Sequence, residues 1–155
     1  MKYFIKYLFI LGILIVTFNG CSKGGSNPPV VVPDTTKPTI TITKPTAGQA
    51  FTAGSTILFA ATLTDNEALK SCDVAISQKV TGSFALKVVP TSVPFTYTKS
   101  AISLGGKSQD ISLSDIIIPS NTATTIVTPG VYNVKVTCFD SSNNSSSTIV
   151  EININ

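Results

Sequence analysis

Polar and apolar side chains alternate with a period of two from residue 38 onward, and this alternation determines the fold class. Thr39-Ile40-Thr41-Ile42-Thr43 shows the pattern most plainly, and it is typical of a strand with one buried face. Turn residues, mostly Pro, Gly, Asp and Asn, separate the alternating segments, and none has a sustained apolar period of 3.6 residues. The sequence therefore predicts an all-β antiparallel sandwich. Its further strands are predicted at 55–64, 69–78, 84–89, 95–99, 110–118, 131–140 and 148–154.

Tyr132 begins one of the late strands, directly after Pro129-Gly130, in the phase of the strand that faces the core. This position fits a tyrosine corner, in which the hydroxyl group bonds the backbone of the preceding connection. We expect a structural role for Tyr132.

The first twenty residues have the composition of a secretory signal peptide. Lys2 and Lys6 precede an apolar run at 8–16, and Gly20 stands before Cys21. The run is shorter than the roughly 20 apolar residues of a membrane-spanning helix. The Gly-Cys ending resembles the lipobox of bacterial lipoproteins, which implies that Cys21 is lipidated after residues 1–20 are removed. The alternative is an ordinary signal peptide that leaves Cys21 unmodified.

Residues 21–37 are rich in Gly, Ser and Pro and are interpreted as a flexible tether. Glycine and serine give a chain flexibility, whereas proline extends it. A segment of this length spans about 50 Å when fully extended. The remaining domain is expected at 38–155.

The composition excludes several classes of function. The chain has no His, Arg or Trp. After removal of residues 1–20 it contains nine Lys and eight acidic residues. A nucleic-acid partner is therefore not expected, because such binding needs clustered positive charge. Nucleophilic catalysis most often needs a His base, and zinc sites commonly use His. We expect no catalytic residues and no enzymatic activity.

Several short motifs follow one another along the chain in a recognisable order. They are Lys37-Pro38-Thr39-Ile40, Pro45, Gly54-Ser55-Thr56-Ile57, the turn 64–71, Ile117-Ile118-Pro119, and Pro129-Gly130-Val131-Tyr132 with Cys138-Phe139-Asp140. In this order and spacing they resemble bacterial immunoglobulin-like modules. Together they are most similar to a lipoprotein family of Bacteroides-like bacteria that carries an immunoglobulin-like domain of unknown function. That resemblance implies an immunoglobulin-like sandwich with an interaction role and no reaction.

In an immunoglobulin-like topology, the turn after the second predicted strand and the turn before the last one emerge at the same end. The first carries Asp65 and Glu67, and the second carries Asp140 and Asn143. Oxygen ligands from two loops suit calcium, so calcium is a candidate cofactor. The alternative is that Asp and Asn stand there as ordinary turn residues.

The same topology makes the strands of Cys72 and Cys138 neighbours in one sheet, with both residues in the buried phase. Compartments outside the cytoplasm are oxidising, which favours a disulfide. Two reduced thiols that pack as small apolar residues are the alternative.

The sequence thus predicts a lipid-anchored interaction or adhesion module of the cell envelope, held at the outer membrane through Cys21. Its partner is an unknown protein or glycan. A carbohydrate-binding accessory lipoprotein and a structural subunit of an envelope complex are the alternatives.

Overall fold

The computed structural model describes residues 32–79 and 90–155. The signal-like segment, Cys21 and the strand predicted at 84–89 lie outside the described residues. Pro33–Asn155 form one compact unit. The described part of the chain is built from strands, and it offers no helix with the length and apolar character needed to cross a membrane. The strands are β1 Thr39–Lys44, β2 Ala50–Phe51, β3 Thr56–Thr64, β4 Leu69–Gln78, β5 Thr91–Val93, β6 Tyr97–Ser103, β7 Ser108–Ile117, β8 Thr125–Val127, β9 Gly130–Asp140 and β10 Ser145–Ile154.

Two sheets form the sandwich. One has the strand order β1-β3-β7 and the other β2-β10-β9-β4-β6, while β5 and β8 form a small separate pair. The pairings β2–β10 and β5–β8 are parallel, and the others are antiparallel. The chain crosses between the two main sheets after β1, β2, β3 and β6, and again between β7 and β9. The predicted immunoglobulin-like antiparallel sandwich is confirmed.

The core lies where the alternating apolar side chains of the two sheets meet. β3 contributes four buried residues, at every second position from Ile57 to Leu63. β4 and β9 oppose them with residues that solvent does not reach, among them Val74 and Val136. Burying these side chains is the main favourable term in folding, which explains why the period-two pattern predicts the strands.

The predicted tyrosine corner is also confirmed. The Tyr132 hydroxyl donates a hydrogen bond to the Thr128 carbonyl at 2.6 Å and accepts one from the Phe95 N–H at 3.2 Å. Its ring is fully buried and packs at a tilt against that of Phe95, with 6.4 Å between the centroids. Burial raises the pKa of Tyr132. The hydroxyl therefore links the β8–β9 connection to the segment before β6.

The largest differences from the predicted strand boundaries are in β10 and β6. β10 begins at Ser145, because the Asp140 N–H bonds the Asn144 carbonyl and Ser145 already pairs with Phe139. A run of Ser and Asn favours a turn, but the hairpin closes within residues 141–144. β6 begins at Tyr97 and continues to Ser103, so the prediction at 95–99 was placed too early and ended too soon.

Candidate metal centre

Three carboxylates from distant parts of the sequence meet at one end of the sandwich. Asp34 precedes β1, Asp65 follows β3, and Asp140 ends β9. The pairing of β4 with β9 sets Leu69 opposite Asp140, so the two turns emerge at the same end, as the sequence predicted. One carboxylate oxygen of each residue lies within 4.8 Å of the others.

Asp65 is held by the turn that it begins. Its Oδ2 accepts hydrogen bonds from the N–H groups of Glu67 and Ala68, both at 2.9 Å. An Asp side chain commonly bonds the backbone two or three residues further on in this way. The turn therefore fixes the direction of the carboxylate.

Asp140 is the one charged side chain that is fully buried within residues 32–79 and 90–155. Its Oδ1 accepts a hydrogen bond from the N–H of Asn144, and its Oδ2 accepts one from the Asn144 side-chain amide, both at 2.8 Å. A buried carboxylate without such donors would be strongly disfavoured. The tight β9–β10 turn supplies both donors from a single residue.

Asp34 lies in the segment interpreted as the tether, yet it contacts both turns. Its Oδ1 accepts hydrogen bonds from the Thr36 N–H at 2.9 Å and from the Asn66 side chain at 3.0 Å. Its main-chain carbonyl accepts a third from the Asn144 side-chain amide at 3.1 Å. The bond from Thr36, followed by that from Asn66, lowers the pKa of Asp34. The carboxylate is therefore stabilised in its charged form.

Two oxygens of the cluster have no hydrogen-bond donor. Asp34 Oδ2 and Asp65 Oδ1 are both buried and both lack a partner. Anionic oxygens of this kind are ligands for hard cations such as Ca²⁺ and Mg²⁺. The arrangement offers the chemistry of a divalent-cation site.

The structure brings together two of the four residues that the sequence proposed as ligands, Asp65 and Asp140. Glu67 is exposed and is not among the clustered carboxylates. Asn143 adopts a positive φ of 68°, and its side-chain oxygen accepts a hydrogen bond from Lys70 Nζ at 2.7 Å. Sequence reasoning missed Asp34. The available signal was that Asp34 is the first acid of the chain and stands just before the first strand.

Cys72 and Cys138 lie directly opposite one another on β4 and β9. The structure holds both as buried thiols. Burial raises the pKa of Cys72 to about 12, with a further contribution from Cys138. Burial, followed by the charge of Asp65, raises the pKa of Cys138 to about 11. The predicted neighbouring strands and buried phase are confirmed, and the disulfide stays a prediction.

A family model described as a domain of unknown function, DUF4625, matches residues 21–155. The chain belongs to the DUF4625 family. The match spans the sandwich together with the preceding residues 21–37. The expected domain of unknown function is thereby confirmed. No curated protein matches this DUF4625 chain.

Solved structures that are similar to this DUF4625 domain have low sequence identity to it and TM-scores below 0.5. Fibronectin(III)-like modules of Clostridium thermocellum CbhA are 14% identical, with a TM-score of 0.40 and coverage of 75% of this chain and 94% of theirs. The sporulation control protein Spo0M of Bacillus subtilis is 10% identical, with a TM-score of 0.43 and coverage of 76% and 48%. A β-glucosidase from Listeria innocua is 14% identical, with a TM-score of 0.36 and coverage of 75% and 16%.

Proposed function

We propose that this DUF4625 protein is a non-catalytic interaction module of the cell envelope, anchored at the outer membrane by lipid on Cys21. The order of segments supports the anchor. A signal-like stretch ends at Gly20-Cys21, and the Gly-, Ser- and Pro-rich residues 22–32 separate that cysteine from the compact unit. Such a segment gives a folded domain reach from a membrane surface.

The observation that carries the interaction role is the solvent face of the β1-β3-β7 sheet. One face of this sheet packs into the core, so the alternate residues point outward. They are mostly hydroxyl-bearing side chains, and we call this surface the hydroxyl face. Its members are Thr39, Thr41 and Thr43 of β1, Thr56, Thr62 and Thr64 of β3, and Ser108, Ser112 and Ser114 of β7.

Two large apolar side chains are exposed at one end of the hydroxyl face. Leu58 is 52% exposed and Ile117 is 62% exposed. Ile117 pairs with Thr56, two residues from Leu58 along the same face. Apolar side chains beside hydroxyl groups provide both the desolvation and the hydrogen bonds that a protein partner uses. We therefore place the contact surface for an envelope protein here.

Carbohydrate binding is the second candidate function, and the same face favours it. A shallow groove of about 230 Å³ is lined by Thr43, Thr62, Asp110 and Ser112, among others. Thr62 donates a hydrogen bond to Asp110 at 2.6 Å, which orients the carboxylate beside the hydroxyl groups. Hydroxyl and carboxylate groups side by side are able to bond sugar hydroxyls.

The anchor is tested by detergent phase separation of the full chain expressed in a bacterium that processes lipoproteins. The wild type is expected in the detergent phase and Cys21→Ser in the aqueous phase, because stable attachment needs two or more acyl chains. The same phase for both proteins would contradict the anchor.

The interaction surface is tested with a charged double variant, Thr41→Lys/Ser112→Lys, on the hydroxyl face. Its matched control is Ser147→Lys/Ile149→Lys, which places the same charges on exposed positions of β10 in the other sheet. Binding to envelope extracts and to a glycan array is measured for both. Loss of binding only in Thr41→Lys/Ser112→Lys supports the hydroxyl face as the contact surface. Binding to the glycan array distinguishes a glycan partner from a protein partner. Equal binding by the two variants would contradict the surface.

A further inference from the structure

We propose that Asp34, Asp65 and Asp140 bind one calcium ion, and that this ion fastens the end of the tether to the sandwich. The inference is independent of the anchor at Cys21 and of the partner on the hydroxyl face. It rests on the geometry of the three carboxylates and on the hydrogen bonds that surround them.

The cluster places three negative charges close together, one of them on a fully buried side chain. Three of the eight acids in the chain place oxygens within 4.8 Å of one another. Asp140 is fully buried, and the other two are partly buried. Like charges repel more strongly as the surrounding dielectric constant falls. A cation bound among the carboxylates would relieve this repulsion.

No lysine of residues 32–79 and 90–155 supplies that charge through an ion pair. The two ion pairs in this part of the chain join Lys79 to Glu151 and Lys99 to Asp115. Lys70 Nζ donates to the Asn143 side chain at the same end of the sandwich. A cation from solution is therefore the natural counter-charge.

The unpartnered oxygens point independently to a ligand. Asp34 Oδ2 and Asp65 Oδ1 are inaccessible to solvent and accept no hydrogen bond. Buried polar atoms in folded proteins are nearly always satisfied, and an exception often marks an ion or a water. A cation bound among the three carboxylates would satisfy both atoms.

The remaining oxygens are held by N–H donors, which orient the carboxylates. Asp65 Oδ2 is bonded by the turn that follows it, and Asp34 Oδ1 by Thr36 and Asn66. Asn144 bonds both oxygens of Asp140. Metal-ligating carboxylates typically have such outer hydrogen bonds, which fix the ligand before the metal arrives.

The chemistry of the ligands selects calcium. All three are hard carboxylate oxygens, whereas zinc favours nitrogen and sulfur. Magnesium demands near-ideal octahedral geometry and loses water reluctantly, while calcium accepts about six to eight oxygens in a flexible arrangement. Ligands from three separate segments suit the more tolerant ion, with water or main-chain carbonyls as the further ligands.

Calcium bound here would also join the tether to the domain. Asp34 precedes the first strand, whereas Asp65 and Asp140 belong to turns of the sandwich. In the structure, side-chain hydrogen bonds from Asn66 and Asn144 already connect Asp34 to those turns. A metal–carboxylate bond would add to them and set the point at which the predicted tether meets the domain.

Calorimetric titration of the full chain, purified in detergent and freed of metal with chelator, tests the site. We expect one calcium ion per chain and a rise of several degrees in Tm, since a ligand that binds only the folded state stabilises it. Asp34→Asn and Asp65→Asn should each weaken calcium binding by more than about tenfold. Even substitutions of residues that only hydrogen-bond a metal ligand typically weaken metal binding by that factor. Asp115→Asn, which changes an exposed carboxylate outside the cluster, is the matched control.

Asp34→Asn is the decisive variant because residue 34 lies outside the strands and the substitution preserves shape. Circular dichroism verifies that each variant is folded. Titration with calcium that gives no heat, or heat that persists unchanged in both cluster variants, would overturn the site. Magnesium titrated alone should bind more weakly, and equal or tighter magnesium binding would overturn the choice of calcium.

Hydrogen exchange tests the link to the tether. Peptides spanning residues 33–38 report the amides of Asp34, Thr35, Thr36 and Lys37, since Pro33 and Pro38 have none. Calcium should slow their exchange in the wild type, and Asp34→Asn should abolish the slowing. Calcium binding without any change in these amides would overturn the link to the tether while leaving the metal site intact.

Discussion

The side chain of Asn144 donates a hydrogen bond to the main-chain carbonyl of Asp34 at 3.1 Å, across 110 residues of sequence. The same nitrogen donates to Asp140 Oδ2 at 2.8 Å. One amide group therefore connects the segment before β1 to the β9–β10 turn. It also supports one of the three clustered carboxylates.

Asn144→Ala should lower the free energy of unfolding by about 1–3 kcal/mol, because it leaves buried acceptors without a donor. Asn144→Asp has nearly the same shape but adds a negative charge beside three others, so it should be the more destabilising change. Chemical denaturation in chelator measures both. Ser142→Ala, at an exposed position of the same turn, is the control and should change stability little. An Asn144→Asp variant that is as stable as the wild type would contradict the expected repulsion between the added carboxylate and the three clustered ones.

Tyr132→Phe should destabilise the domain by about 1–3 kcal/mol, because the Phe95 N–H and the Thr128 carbonyl would be left buried without a partner. Tyr97→Phe is the matched control. The Tyr97 hydroxyl makes a longer hydrogen bond, 3.3 Å, to the exposed side chain of Asp115, so its loss should cost less than about 0.5 kcal/mol. Denaturant unfolding of both variants provides the comparison. An equal loss of stability in Tyr132→Phe and Tyr97→Phe would contradict the structural role of the tyrosine corner.

The sequence predicts the corner and most strands because both depend on local pattern. Alternation between buried and exposed positions identifies β3, β4 and β9 directly, and a Tyr after Pro-Gly in the buried phase identifies the corner. β5 and β8 are only three residues long, too short to show a period. Their parallel pairing joins segments far apart in sequence, and no local pattern encodes it.

For the same reason, the sequence could predict only two of the three clustered carboxylates. Asp65 and Asp140 lie in turns between recognisable strands, so topology alone places them at the same end. Asp34 stands among residues with no strand pattern. Its position depends on hydrogen bonds from Asn66 and Asn144, which exist only once the sandwich has formed. Conversely, Asn143 resembles a ligand in sequence, but its positive φ and its bond to Lys70 give it a structural role in the turn.

The buried thiols predict loss of stability at alkaline pH for the reduced protein. The pKa of Cys72 rises from 9.0 to about 12, and that of Cys138 from 9.0 to about 11. The unfolded chain therefore loses these protons first, and stability falls as the pH rises above about 9. Each thiol contributes up to about 1.4 kcal/mol per pH unit within that window. In reductant, the stability of the double variant Cys72→Ala/Cys138→Ala should fall less steeply with rising pH than that of the wild type. The same pH dependence in both proteins would contradict the burial of the two thiols.

Alkylation without reductant decides between thiols and a disulfide. In the folded protein, neither Cys72 nor Cys138 should react at neutral pH, because both are buried and protonated. After denaturation of a Cys21→Ser chain, which keeps only these two cysteines, two added labels identify thiols. No label, with a mass lower by two hydrogens, identifies the bridge. Rapid labelling of the folded protein would contradict the buried placement of both residues.

The last prediction separates the ligands that the structure assembles from those that the sequence suggested. Glu67→Gln and Asn143→Gly should leave calcium affinity within about twofold of wild type, since an exposed charge contributes only a few tenths of a kcal/mol. Glycine retains the positive φ of Asn143, so the turn should keep its shape. Asp34→Asn, in contrast, should lose most of the affinity although it lies outside the strands. Calcium titrations of the three variants measure the difference. A larger loss in Glu67→Gln than in Asp34→Asn would show that the two turns bind calcium without the tether.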